Sequence, residues 1–501
     1  MELKIKEISA GELLSEAKAY SEGGRHPLTA MFGRDERHNG GGFSVYAVFE
    51  FPETREHRAL KAVLAEGETS FASLSHALPA ASWFEREIQD MFGLVAENHP
   101  DPRPLVLHEN FPKGFHPLRK DAPQEVPFIE GKHTHMHTAG GEGTFQVPVG
   151  PIHAGIIEPG HFRFSQAGES MLQLDAKLFY THRGLEKTME GKTALEALPI
   201  VERICGACTA ANTWSYCQAV ETASGTAVPR RAEILRTFIL EIERITNHVG
   251  DLGNIPAGVG FSFAVSIGTR AKEMMMRLQD SLTGNRFLRG FFVPGGTARD
   301  FTAEACAQAA EVLREVEKNV LDLERIFAQQ DGFQDRVRTT GIVRNKTARD
   351  LAMVGVGARA SGYAHDSRAD FGYGVYPELS LKVVTENSGD VAARILVRIG
   401  ELKESFRLAF ALLEMLGREQ GEHRTELGTP QGEAAGLSES ARGSSFCYVA
   451  FDKEGRLDRI FVRSASYANW PALPIAVQGD IIPDFPLINK SFELCYACLD
   501  R

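Results

Sequence analysis

The chain contains no apolar run approaching the ~20 residues needed to span a bilayer, so any membrane association is expected to come through partner subunits. Its opening, Met1-Glu2-Leu3-Lys4-Ile5-Lys6-Glu7, alternates charged and apolar residues and reads as a strand, not as a secretory leader. Cysteine is scarce, with seven in 501 residues. That odd and sparse number is no disulfide framework and fits reduced thiols in a cytosolic compartment. There is no excess of basic charge either: the formal net charge of −11 argues against nucleic acid and against an anionic membrane surface as nonspecific partners. Low-complexity tracts are missing, and 43% hydrophobic with 24% charged residues is a globular composition. A chain of 501 residues exceeds one ordinary hydrophobic core and predicts two or more domains.

What the chain does have is two cysteine pairs of the same form. One is Cys205-Gly206-Ala207-Cys208 and the other Cys495-Tyr496-Ala497-Cys498. A C-x-x-C lets two thiolates converge on one metal ion, and it also serves as a redox dithiol or half of a zinc site. Zinc ribbons place their pairs roughly 15–20 residues apart because one small unit must hold the ion. Here 287 positions separate Cys208 from Cys495 (495 − 208). A metal joining the pairs would tie the middle of a large domain to its end, which suits a site assembled by the whole fold. Four soft thiolates are compatible with nickel, iron, zinc or an iron–sulfur cluster. Cys217, Cys306 and Cys447 have no partner at motif spacing and read as incidental thiols.

The expected fold class is α+β, with a small N-terminal α/β domain ahead of a mainly helical domain bearing peripheral strands. Residues 1–121 form the first domain: a strand at 2–7, a helix capped by Ser9 and ended by Gly23–Gly24, strands at Phe43–Phe51 and 58–65, and a helix from Trp83 closed by Gly93. Residues 122–143 lose periodicity, gather proline, glycine and polar residues, and read as a solvated linker. His133, His135 and His137 alternate there, a spacing that on an extended segment can also hold a metal. In residues 144–501 the 3.6-residue apolar period predicts long helices over 230–250, 264–283, 302–328 and 390–417. Phe446–Phe451 and Leu457–Val462 flank Asp452-Lys453-Glu454-Gly455, a hairpin signal.

These motifs carry a resemblance. The series Trp83 to Gly93, His99-Pro100-Asp101 and His116-Pro117-Leu118-Arg119-Lys120-Asp121 resembles the small hydrophilic subunit of respiratory complex I, which implies a docking role without chemistry of its own. Residues 144–501 resemble [NiFe]-hydrogenase large subunits of the membrane-associated, complex-I-related group, and the fusion is similar to formate hydrogenlyase-type large subunits. The specific matches are Arg203-Ile204-Cys205-Gly206-Ala207-Cys208, Glu158-Pro159-Gly160-His161, Arg359-Ala360-Ser361-Gly362 with Asp366 and Arg368, and Cys495 to Arg501. Complex I quinone-site subunits share the fold but are expected to lack the four cysteines.

The resemblance implies a Ni–Fe centre on Cys205, Cys208, Cys495 and Cys498, with CO and CN ligands on iron and Cys208 and Cys498 bridging. It implies Glu158 as a proton-transfer carboxylate and Arg442 above the open metal face, with Glu493 as the arginine's expected partner. Ser466 is implied as a hydrogen-bond donor to a diatomic ligand, and Glu186 as ligand to a second, magnesium- or iron-type ion. The chain departs from the common pattern at Ala441, where proline is usual, at Glu493-Leu494, where Asp-Pro is usual, and at Arg501, which takes the place of a histidine that completes the second metal site in many relatives. The family's large subunits are processed after C-x-x-C-x-x-His or -Arg, and Cys495 to Arg501 fits that cut. With no further cluster motif visible, [4Fe-4S] clusters are expected only in partner subunits. An Fe–S small subunit and membrane ion-pump subunits are the implied partners, on the cytoplasmic face of the membrane. Formate dehydrogenase, carbon monoxide dehydrogenase or a ferredoxin are the candidate electron partners, and H2 and protons the substrates.

Overall fold

The computed structural model describes residues 3–131, 136–153 and 157–501. His133 and His135 lie outside the described residues. His137 is at the surface, where its backbone N–H donates to Asp175 at 2.6 Å. The described part of 122–143 is irregular and largely exposed, with Met136 buried.

The N-terminal segment builds a four-stranded sheet in the order β1-β4-β3-β2, from β1 (Leu3–Ser9), β2 (Leu28–Asp35), β3 (Phe43–Phe51) and β4 (Glu56–Val63). β1 pairs parallel to β4, and the other pairs are antiparallel. The crossover is made by α1 (Leu13–Ser21), which follows a short 3-10 turn. At its head Ser9 N–H and Oγ both donate to the Glu12 carboxylate, at 2.9 and 2.6 Å. α2 (Ala81–Phe92) stops at Gly93, whose φ is 68°. A Cβ there would lie 2.5 Å from His116 Nε2, so the position demands glycine twice over.

α2 is far more buried than an ordinary surface helix. Its Glu85 is held by Ser73, Ser75 and the Leu74 N–H at 2.5–2.6 Å. Asp90 accepts the N–H groups of Leu105, Val106 and Leu107. Burial pushes Asp90 up to about 6. Glu85 ties the preceding segment to the helix and Asp90 the following one, since a buried acid must be satisfied.

Residues beyond 143 begin with a three-stranded antiparallel sheet, β5 (Thr144–Val149), β6 (His161–Ala167) and β7 (Ser170–Lys177). The helices follow: α3 (Thr209–Ser224), α4 (Arg230–Asn254), α5 (Ser262–Thr283), α6 (Ala303–Gln329) and α7 (Val391–Arg418). α4 packs between α5 and α7, while α6 covers α5 and α7. β8 (Gly432–Ser440), β9 (Gly443–Phe451) and β10 (Leu457–Arg463) form a second antiparallel sheet, the last two joined by the expected hairpin. α3 lies on β8 and β9. The contact is close enough that a Cβ on Gly436 would fall 1.9 Å from Ser215 O.

The N-terminal sheet and this second sheet share one apolar cluster. Phe32 stacks on Tyr46, Tyr448 and Phe461 at centroid distances of 4.9, 4.6 and 4.7 Å. Around the rings, Arg34 pairs with Asp458 and Glu433, both at 2.9 Å. Arg463 donates to Thr29 O at 2.9 Å.

A candidate metal centre at the two cysteine pairs

Cys205 and Cys208 end an irregular turn, and α3 starts immediately after Cys208. The free N–H groups at that helix start are taken by Glu243 of α4, which accepts from Ala210 at 2.6 Å and Ala211 at 3.2 Å. Asn247, one turn on, donates to Ala207 O at 2.8 Å. Burial pushes Glu243 up to about 8. The second pair caps the short helix Tyr496–Asp500. Arg183 joins the two segments, donating to Arg203 O, Ile204 O and Ala497 O at 2.8–3.0 Å.

The pairs converge. Cys205 Sγ lies 3.1 Å from Cys495 Sγ although the two are 290 positions apart. The sulfurs of Cys205, Cys495 and Cys498 all lie within 4.8 Å of one another, and Cys208 is near enough to Cys205 and Cys498 for their thiols to perturb one another. Hydrogen bonds from Cys208, Cys495 and Cys498, helped by the Ala207 N–H at 3.2 Å, favour the Cys205 thiolate and hold it well below the usual thiol range. The other three are pushed well above it, through their hydrogen bonds to neighbouring sulfurs and by burial. So many buried sulfurs cannot all ionise without a cation, and four close thiolates suit a thiophilic transition metal. The donor set fits. Of the remaining cysteines, Cys217 and Cys447 are buried in the core and Cys306 is half-buried.

Arg442 lies in the two-residue turn that joins β8 to β9, next to the buried Ala441. Arg244 fixes this turn by donating to Ser440 O and Glu439 O. The first partner of Arg442 is Asp251, a residue the sequence motifs do not single out: Nη2 donates to Asp251 Oδ1 at 2.9 Å. Glu493, the expected partner, stands at 3.9 Å. Its contribution is the backbone, since Arg442 Nε donates to Glu493 O at 3.0 Å. The Glu493 carboxylate turns instead to Asn254 Nδ2, at 2.6 Å. Asp251 bears a double load, binding Arg398 Nε at 2.9 Å on its other oxygen. Burial opposes the charge on Asp251, yet Arg442 and Arg398 hold it well below the usual range. Burial, and then Asp251, push Glu493 up to about 7. Glu493 also sits at φ 52°, a left-handed conformation that costs a non-glycine residue about 1–3 kcal/mol.

Arg442 Nη1 is buried with no hydrogen-bond partner among the described residues. Burial works against this guanidinium, and Asp251 followed by Cys208 keeps it charged. An unpaired buried N–H beside the thiols can donate to an acceptor brought to this place.

The other expected site residues are placed as follows. Ser466 is buried, and its Oγ accepts the Cys495 N–H at 2.9 Å. Glu158 is exposed at the surface, within electrostatic reach of Tyr496 and Asp500. Glu186 is buried and already paired with two guanidiniums, Arg459 at 2.7 Å and Arg501 at 2.8 Å. A carboxylate so flanked offers a poor place to a hard cation, which needs uncommitted oxygens and negative charge. The second ion expected at Glu186 therefore does not fit.

Three family models match the chain. Residues 3–127 match "Respiratory-chain NADH dehydrogenase, 30 Kd subunit". Residues 258–428 and 421–501 match "Respiratory-chain NADH dehydrogenase, 49 Kd subunit". Residues 183–251, which carry the first cysteine pair and end on Asp251, match "Nickel-dependent hydrogenase". Formate hydrogenlyase subunit 5 of Escherichia coli (strain K12) is 33% identical over 96% of this chain and 86% of its own length. Hydrogenase-4 component G of the same organism is 33% identical over 95% and 84%. Among solved structures, the membrane-bound sulfane sulfur reductase, an archaeal respiratory membrane complex, has a matching chain with a TM-score of 0.68 and 26% identity, covering 72% of this chain and 99% of that one. Among the described residues no helix is long and apolar enough to cross a membrane. A third of the residues shared along nearly the whole chain, in both its 30-kDa-like and its 49-kDa-like parts, means that the chain belongs to the family of complex-I-related, membrane-associated [NiFe]-hydrogenase large subunits that includes formate hydrogenlyase subunit 5.

Proposed function

We propose that this chain is the catalytic subunit of a hydrogenase that interconverts H2 with protons and electrons, working chiefly toward H2. The reading is carried by one observation: cysteines from two distant segments meet, with the sulfurs of Cys205, Cys495 and Cys498 within 4.8 Å of one another and Cys208 beside them, next to a guanidinium with an unpaired N–H. Cys205, Cys208, Cys495 and Cys498 would hold a Ni–Fe pair whose iron carries CO and CN ligands. Such a pair supplies the heterolytic chemistry of H2 when bound.

The chain's own residues have separate tasks. Arg442 holds fixed positive charge over the thiolates, with Asp251 and the Glu493 carbonyl orienting its fork. Ser466 fixes the Cys495 backbone, which sets where that sulfur points. Glu158 is the surface end of the proton route, in a loop whose Gly160 packs against Tyr496 of the second pair. Electrons are exchanged through a separate Fe–S small subunit, which delivers them to the centre when H2 is made. The 30-kDa-like segment docks on cytoplasmic-side partners of a membrane complex that couples the reaction to ion translocation.

Metal analysis combined with infrared spectroscopy tests the reading. Equimolar nickel and iron in the large subunit, with CO and CN stretching bands, is the expected result. Zinc alone would overturn it in favour of a structural site, and an absence of metal in favour of a redox-coupling subunit of the complex I type. Glu158→Gln is expected to leave the centre assembled while slowing hydrogen–deuterium exchange by orders of magnitude; near-wild-type exchange would show that the proton leaves elsewhere.

A further inference from the structure

The place expected to hold a second metal holds a closed ion cluster instead. Glu186 Oε2 accepts Arg459 Nη1 at 2.7 Å, and Oε1 accepts Arg501 Nη1 at 2.8 Å. The other side of the Arg501 fork donates to both oxygens of Glu87, each at 2.6 Å. Two carboxylates and two guanidiniums leave no net charge. Arg501 is 4% exposed, and its guanidinium is sandwiched by the rings of Phe461 and Tyr467 at 5.3 and 5.2 Å. Burial opposes its charge, and Glu87 followed by Glu186 restores it.

Glu87 belongs to α2 of the 30-kDa-like segment, 414 positions from Arg501. Arg501 in turn follows Cys498 by three residues, about one helical turn. The backbone between them is fixed as well. Arg183 N–H donates to Arg501 O at 2.8 Å. His182 Nδ1 lies 2.6 Å from Asp500 O, and the Asp500 carboxylate accepts from Phe179 and Thr181. Ser464 Oγ donates to Cys498 O at 3.1 Å.

We propose that the Glu87–Arg501–Glu186–Arg459 cluster replaces the second metal ion, so that α2 of the docking segment positions the Cys495/Cys498 arm against Cys205/Cys208. Glu87 is thus a positioning residue for the metal centre, and the N-terminal segment is part of the catalytic machinery as well as a dock. A bidentate arginine–carboxylate pair is suited to this because it fixes orientation in addition to distance. The proposal rests on the hydrogenase reading only for its nickel readout.

The test uses the assembled complex with Glu87→Gln, which keeps the shape and removes the charge, beside Glu87→Asp and Arg501→Lys. In Glu87→Gln, nickel is expected to leave for a chelator at least ~10-fold faster. The infrared bands of the iron ligands shift, and the amides of residues 496–501 exchange faster. Glu87→Asp restores most of the nickel retention, while Arg501→Lys, which has no second fork, does not. Unchanged nickel release with unchanged amide exchange in Glu87→Gln would overturn the proposal. So would a metal ion bound to Glu186 in a structure of the wild-type complex. Wild-type protein without nickel would count against the hydrogenase reading, and amide exchange alone would then still decide whether Glu87 holds the arm.

Discussion

Two clusters of buried guanidinium and carboxylate flank the second cysteine pair, and their completeness differs. The cluster at Arg442, Asp251 and Glu493 leaves the Arg442 Nη1 N–H without a partner among the described residues. The cluster at Glu87, Arg501, Glu186 and Arg459 is neutral, and each of its carboxylates accepts from at least one guanidinium at 2.8 Å or less. An unsatisfied buried donor costs about 1–3 kcal/mol, a cost that an acceptor supplied beside the thiols would remove. A satisfied cluster holds segments together and binds nothing more. Residue composition is nearly the same in both, and the accounting of donors and acceptors is what separates the two.

The largest effect should come from removing what the two clusters enclose. Cys498→Ser is expected to abolish hydrogen turnover and most bound nickel, measured by metal analysis and H2 production; full nickel and normal turnover would exclude Cys498 as a ligand. On the open side, Arg442→Lys should lower turnover by roughly 10²-fold with nickel retained, as for removal of one preorganised donor at a reacting centre. If Arg442 belonged to a merely structural cluster, activity and stability would instead fall together. Asp251→Asn should cost about 3–5 kcal/mol in a denaturation experiment, because it leaves Arg442 and Arg398 buried around one neutral amide. A loss under 1 kcal/mol would mean that Glu493 can take over the pair.

The smallest effect is a pH dependence away from both clusters. His365 contacts Glu50 of β3 at 2.5 Å and faces Asp370 at 3.9 Å, with His57 on the far side of Glu50 at 3.7 Å. Glu439 acts on His365 from β8, and Arg359 Nη1 donates to the His365 carbonyl. Burial lowers His365, but Glu50 outweighs it and raises it to about 9, while His365 then His57 hold the buried Glu50 well below its usual value. A raised histidine contributes stability that is complete below its unfolded pKa of about 6.5 and lost as pH rises through about 9. A lowered carboxylate contributes above about 4.5 and loses its share as pH falls. The pair should therefore help most between about pH 4.5 and 6.5, and His365→Gln should remove about 3 kcal/mol there and progressively less toward pH 9. Denaturation midpoints of the two proteins across that range check it; a constant difference would mean the histidine stays neutral.

Much of this was legible in the sequence because it depends on local rules. The helix at 230–250 follows from apolar period, the turn after Phe92 from a glycine, and the hairpin at 452–455 from its turn residues. The cysteine pairs announce themselves by spacing. Asp251 was not legible, since an aspartate near the end of an amphipathic helix has no local signature; its role exists only once α4, α7 and the β8–β9 turn are packed. Glu87 was hidden for the same reason, as its partner lies at the other end of the chain. Glu493 drew attention through its nearness to Cys495, but sequence distance says nothing about which carboxylate the Arg442 fork meets first. At Glu186 a carboxylate reads the same whether its neighbour is a cation or a guanidinium.

The meeting of Cys205 with Cys495 across 290 positions also has a consequence for how the molecule forms. Closing a loop of that length costs about 5 kcal/mol of chain entropy by the logarithmic rule, before any constant term. No contact between the thiols alone repays that. The cysteines are therefore brought together by the helices and sheets between them, and the sulfur pocket exists only when those elements are packed. The short helix that carries Cys495 and Cys498 therefore depends for its place on contacts made far from it in sequence, such as Arg183 with Ala497 O and Ser464 with Cys498 O.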